Sequence, residues 1–298
     1  MLDQQPAQHW VSAHVFTAHP LDLVVGRLLP DVLAGLRESE LADRAFFIRH
    51  WQSGPHLRLR IRLTTPDAAP LVREAVADHT AAFFEPLTPA TPMTADQYHE
   101  LASRFAALEP GSQVGSLAPN DSLAFVDYRP EHAKYGRGAA LRAVEECFAV
   151  CSEISMAAVV AGWDQPRRLA HCFALLAGAL DPSGGRATEQ HSKVVGQYQR
   201  SRASWLPVAR AARTACDASA TGGTSPDTDP LVRWFAAFRR ARRLAADPQR
   251  LPGHLTHLAC NRLGVRLDQE AALRGLAALA VDELTSPEGV LDEAAGRS

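Results

Sequence analysis

From His56 to Arg62 apolar and polar residues alternate strictly, with Leu57, Leu59 and Ile61 set between His56, Arg58, Arg60 and Arg62. Successive side chains of a strand point to opposite faces, so this run predicts a β-strand with one apolar and one cationic face. Asp43–Trp51 precedes it as a second strand, and Gln52-Ser53-Gly54-Pro55 between the two is a hairpin signal. His9–Thr17 reads as a further strand and Leu21–Ser39 as a helix that Pro30 should kink or split. Pro66–Leu87 has the amphipathic pattern of a helix, Thr88–Asn120 is irregular and proline-bearing, and Ser122–Tyr128 is another apolar strand.

From Gly138 the period changes. Alanine-rich helical sequence runs to about Leu180, is interrupted at Asp181–Gly185, and resumes over Glu189–Ala218. Ser219–Pro230 has the Gly, Ser, Thr, Pro and Asp content of a flexible loop. Helices at Leu231–Ala246, Gly253–Leu263 and Asp268–Thr285 close the chain. The pattern predicts an α+β fold: a mainly antiparallel sheet with helices on one face, followed by a helical C-terminal half. It is read as a single domain over 1–298, with a sheet part at 1–137 and a mainly helical part at 138–298.

Composition narrows the functions. The chain has 298 residues, 46% hydrophobic and 21% charged, with a formal charge of −2. That balance suits a folded soluble protein and offers no broad cationic surface for nucleic acid. No apolar run approaches bilayer length and the N-terminus lacks a signal pattern, so a cytoplasmic location is expected. The five cysteines are scattered, and Cys147 and Cys151, four apart, suit burial on one helical face better than a disulfide. CxxC, GxSxG, Walker A and GxGxxG motifs are all missing.

Three patches carry possible chemistry. Arginine holds carboxylates and phosphates through paired N–H donors, so Arg58 and Arg60 on one strand face suit an anion, although a solvated face with carboxylates opposite would look the same. Tyr128–Gly138 (YRPEHAKYGRG) lies between a strand and a helix, where Glu131 and Lys134 also fit a local ion pair. In Leu255–Gly264 (LTHLACNRLG), His257 and Asn261 share a helical face, and His254, His257 and Cys260 follow at three-residue steps without the companions of a metal site. His171 and His191 are isolated candidates for acid–base work.

Taken in order, FFIRHW-QSGPHLRLRIR, YRPEHAKYG and LTHLACNRLG resemble the elimination domain of class I lanthipeptide dehydratases, a fold that also occurs as stand-alone proteins of thiopeptide biosynthesis. The resemblance covers nearly the whole chain. It implies a lyase that removes glutamate from a glutamylated Ser or Thr of a ribosomal precursor peptide, leaving dehydroalanine or dehydrobutyrine. The partner it implies is a protein that glutamylates the peptide from glutamyl-tRNA. Neither a cofactor nor a metal is implied, and no direct contact with nucleic acid or membrane.

Carried over motif by motif, Arg58 and Arg60 fall on the HLRLR arginines, Glu131 on the glutamate of YxPExxRYG, and His257 on the histidine of the late helix. The resemblance implies that Arg60, Glu131 and His257 take part in the chemistry and that Arg58, Lys134, Tyr135, Asn261 and Arg262 bind substrate. Lys134 stands where the family commonly has Arg, which keeps the charge and loses the fork. Two further readings share the fold. One is a pyridine synthase that joins two dehydroalanines in a formal [4+2] aza-cycloaddition and expels the leader peptide. The other is a non-catalytic module that binds the leader, for instance as an added strand.

Overall fold

Strand β3 (His56–Leu63) is the centre of the sheet's chemistry and of its packing. The computed structural model describes residues 9–107, 114–181, 192–220 and 229–286. β3 pairs antiparallel with β2 (Ala42–His50) on one side and β1 (Trp10–Phe16) on the other, and β1 pairs with β4 (Ser122–Phe125), giving the order β2-β3-β1-β4. With a helical stretch after β1 and another after β3, this is the split β-α-β-β-α-β arrangement. The hairpin turn places Ser53 and Gly54 at positive φ, and a Cβ on Gly54 would meet Leu117 Cδ1 at 2.8 Å. Glycine answers both demands.

The alternation in β3 sorts its side chains as the pattern requires. Leu57, Leu59, Ile61 and Leu63 are at most 3% exposed. Burial of each stabilises the fold by roughly 1.5–3 kcal/mol. They pack in one core with Val11, Ala13 and Val15 of β1 and with residues of the flanking helices. The stretch after β1 runs as α1 (Leu21–Leu23), a π-helical turn (Val24–Leu28) and α2 (Leu29–Glu38). Pro30 thus splits the regular helix without ending it. Its ring would clash with the carbonyl one turn earlier, and the wider π turn supplies the room. After β3 a 3-10 turn (Pro66–Ala68) leads into α3 (Ala69–Phe84), which buries Val72, Val76 and Thr80.

The irregular stretch expected over Thr88–Asn120 holds α4 (Ala95–Ala106). Its capping box is complete, with Thr94 Oγ1 accepting from Gln97 N and the Gln97 side chain accepting from Thr94 N. The T-x-x-Q signature stood in the sequence and was outweighed by the prolines before it.

The remaining helices are α5 (His132–Tyr135), α6 (Ala139–Val160), α7 (Gln165–Ala179), α8 (Ser192–Ala218), α9 (Pro230–Leu244), α10 (Leu251–Arg262) and α11 (Leu267–Thr285). The interruption expected at 181–185 and the loop at 219–230 fall largely outside the described residues. The chain divides into two compact units, Met1–Pro130 with Ser152–Gly162, and Glu131–Cys151 with Trp163–Ser298. In the second unit α7 is central: Cys172–Ala179 are all buried, and the helix packs with α8, α9, α10 and α11. Cys147 and Cys151 are buried at 1% and 4%, and all five cysteines are free thiols.

Candidate active site

The cationic face of the first unit is richer than the arginine run suggested. Residues directly opposed across antiparallel strands share a face. Register therefore sets Arg58 between His14 and Ile48, Arg60 between Ser12 and Phe46, and His56 between Phe16 and His50. The three histidines cluster, with His56 4.8 Å from His14 and 5.4 Å from His50 between ring centroids. Arg62 is held by Asp43 in a two-pronged ion pair and belongs to the surface.

Each imidazole accepts from a group that can only donate. Arg58 Nε donates to His56 Nε2 at 3.1 Å, while His56 Nδ1 donates to Gly54 O at 2.8 Å. Arg60 Nη2 donates to His14 Nε2 at 3.4 Å, and the Gln52 amide donates to His50 Nδ1 at 3.1 Å. A protonated ring could not accept, so all three are neutral. Burial first, then the neighbouring arginines and rings, holds His14 at about 3, His50 at about 2 and His56 at about 4.

Arg58 also donates to Gln52 Oε1 at 2.9 Å. Arg60 lies 5.8 Å from the ring centroid of Tyr128, beside an aromatic wall in which Tyr128 stands 5.1 Å from Trp10 and 6.2 Å from Phe46. Burial and the charge of Arg58 lower Arg60 to about 10, which leaves it a cation at neutral pH. No carboxylate pairs with Arg60 among the described residues. A half-buried cation next to another cation, with no carboxylate partner among the described residues, has the chemistry that suits an anion. A separate cleft of about 570 Å³ in this unit is lined by Phe16, Pro55, Met93, Leu101 and Leu117 and includes none of the site residues derived from sequence.

The other candidate residues gather in the second unit. Glu131 caps α5, accepting from Lys134 N and Tyr135 N through its carbonyl, and its carboxylate lies 3.3 Å from Lys134 Nζ. Burial lowers Lys134, but Tyr135 and Glu131 outweigh it and the amine sits above its usual value. Tyr135 is 6% exposed, its ring 5.4 Å from Phe148 and 6.3 Å from His254, and burial raises its hydroxyl. Arg262, 1% exposed, donates to Leu258 O and lies 4.9 Å over Phe148, on the buried side of Tyr135. Asn261, half-buried on α10, accepts from Gly264 N through its carbonyl in the turn to α11.

His257 is 40% exposed at its side chain, and its Nδ1 lies 2.8 Å from Oε2 of Glu270, whose side chain is only 5% exposed. Arg274 donates to the other oxygen of Glu270 through Nε and Nη2 at 3.0 and 2.6 Å. Burial pushes the Glu270 carboxyl up, but His257 and Arg274 prevail and hold it below its ordinary range. Sequence reasoning missed Glu270 and Arg274, which sit on the next helix at no motif spacing. It also missed His14 and His50, whose strand phases are shared with aromatic and aliphatic residues (Trp10 and Phe16, Phe46 and Ile48) and gave no polar signal. Among the described residues no group of His, Cys, Asp and Glu is arranged to hold a metal ion, and no helix is long and apolar enough to cross a membrane.

One unit is thus an α+β sheet carrying an arginine pair, and the other a helical unit carrying a histidine–carboxylate pair. The chain belongs to the lantibiotic biosynthesis dehydratase C-terminal family, whose model matches residues 10–281. Among solved structures it is similar to the pyridine synthase TbtD from thiomuracin biosynthesis, at 19% identity and a TM-score of 0.70 over 93% of this chain and 99% of that one. It is also similar to the tRNA-dependent lantibiotic dehydratase MibB from Microbispora sp. 107891, at 18% identity and a TM-score of 0.59 over 99% of this chain and 29% of that one. TsrL matches at 16% identity and a TM-score of 0.56, over 95% and 97% of the two chains. These likenesses establish the shared fold. No curated protein matches.

Proposed function

We propose that this protein eliminates glutamate from glutamylated Ser or Thr residues of a ribosomally made precursor peptide. The observation that carries the reading is the Arg58–Arg60 pair, with Arg60 half-buried and lacking a carboxylate partner among the described residues. In the elimination the Cα–H electrons become the Cα=Cβ bond, and the Cβ–O electrons depart with the glutamate carboxylate. Arg60, with Arg58 beside it, stabilises the charge developing on that carboxylate. In the second unit Glu131 offers a carboxylate of the kind that pairs with an α-ammonium, and it stands at the surface beside Lys134. Lys134 and Tyr135 line the same patch, and His257 shuttles the proton. The peptide arrives glutamylated by a partner protein that draws on glutamyl-tRNA.

Reconstitution with a glutamylating partner, glutamyl-tRNA and the cognate peptide tests this by mass spectrometry. Glutamylated peptide loses glutamate only when the protein is added. Persistent glutamyl adducts in its presence refute the reading.

A second reading, pyridine formation from two dehydroalanines, is favoured by one observation: the fold follows that of TbtD at a TM-score of 0.70, against 0.59 for MibB. That reaction binds no glutamate and gives Arg58, Arg60 and Glu131 little to do. A peptide already bearing two dehydroalanines separates the two, since a pyridine synthase converts it to a macrocycle with release of the leader and an eliminating enzyme leaves it unchanged.

A further inference from the structure

We propose that Glu270 is the positioning residue of His257: its carboxylate accepts the hydrogen bond from Nδ1–H, selects that tautomer, and leaves Nε2 as the nitrogen that moves the proton. This deepens the elimination reading of His257 and rests on it for its catalytic consequence.

Two features set Glu270 apart from a structural ion pair. Arg274 already satisfies one oxygen, and Arg274 is anchored in turn by Gly253 O at 3.1 Å and Thr256 Oγ1 at 3.3 Å. The other oxygen is turned toward His257, a ring eight times more exposed at its side chain than Glu270 is at its own, at 40% against 5%. Burying a carboxylate is costly, and here that cost holds one solvent-facing imidazole in a single orientation. Glu270 also lies in the first turn of α11, where the helix N-terminus favours a negative charge. The α10–α11 turn is tied by Val265 N to Cys260 O and Gly264 N to Asn261 O, both at 3.0 Å, which fixes the approach of one helix to the other. A carboxylate holding a ring nitrogen sets which nitrogen carries the proton and stabilises the imidazolium formed in turnover.

The test is nitrogen-15 NMR of the histidines in the full chain, with Glu270→Gln and Glu270→Asp, alongside the elimination assay. Glu270→Gln keeps the shape and removes the charge. In that variant Arg274 and His254, a neighbour of His257, are unchanged, so a change in the His257 tautomer comes from residue 270. Expected are a loss of the Nδ1–H preference and kcat reduced about 100-fold. Glu270→Asp recovers most of the rate. If His257 keeps its tautomer in Glu270→Gln, the positioning role is overturned, whatever the rate. If the tautomer responds but His257→Ala still eliminates glutamate, the catalytic role of His257 fails and the positioning stands; if the parent protein itself leaves glutamyl adducts in place, the elimination reading fails.

Discussion

Arg58 donates from Nε to Nε2 of His56 at 3.1 Å, and His56 is locked in that tautomer by donating from Nδ1 to Gly54 O at 2.8 Å. A hairpin glycine carbonyl thereby orients a guanidinium. The chain of donors runs one way, so it breaks when His56 takes a proton, because the charged ring has no lone pair to offer. Several outcomes can be stated for this and related contacts.

Stability falls with acid. His56 is held at about 4 in the fold, against an ordinary 6.5. Below pH 6.5 the unfolded chain gains a proton that the folded one refuses, so the stabilisation is complete above 6.5 and is lost as pH drops toward 4. For this fully buried ring the loss is roughly 3 kcal/mol, at about 1.4 kcal/mol per pH unit. His14, His50 and His171, all lowered by burial, act in the same direction. Urea midpoints at a series of pH values check this, and His56→Gln, which keeps an acceptor and cannot protonate, flattens the slope.

Arg60→Lys keeps the charge of the arginine face and removes the fork. In the reconstituted assay it should lower the elimination rate by about 10²-fold, close to the loss in Arg60→Ala. Glutamylated peptide then accumulates with no loss of its binding. A lysine variant as fast as the parent would mean that a point charge suffices.

The backbone amide of Phe47, on the edge strand β2, donates to Ser152 Oγ at 3.1 Å. Ser152 is 5% exposed. Ser152→Ala leaves a buried N–H without an acceptor and should cost about 1–3 kcal/mol in denaturant unfolding. Ser152→Thr, which restores the hydroxyl, costs less.

Gly178 sits on α7 with Phe235 of α9 directly against it, so an added Cβ collides with the ring. Phe235 is fully buried and has no room to retreat. Gly178→Ala should destabilise the protein by about 1–3 kcal/mol despite the higher helix propensity of alanine, read as a lowered thermal midpoint.

The order of elements was largely legible. β3 and its cationic face followed from alternation, and α9, α10 and α11 appeared close to their predicted spans, because a period of two or 3.6 is a local property that survives into the fold. α4 was missed because a run of prolines masked a good cap, and the π turn before Pro30 because no local rule distinguishes a split helix from a widened one.

The site divides along the same line. Arg58, Arg60, Glu131 and His257 came from motifs, which are contiguous in the chain. Their partners did not. His14 reaches Arg60 through the β1–β3 register, His50 reaches His56 through the β2–β3 register, and Glu270 reaches His257 across the α10–α11 turn.

By itself, the sequence determined that a strand with two arginines on one face, a charged patch around Glu131 and a helical histidine would be present, because each is written in neighbouring residues. Only the tertiary structure decided that the arginines lie on neutral imidazoles and that the histidine is held by a buried carboxylate. Register and helix packing bring together residues far apart in the chain, and burial then sets their protonation by stripping away the water that would otherwise have charged them.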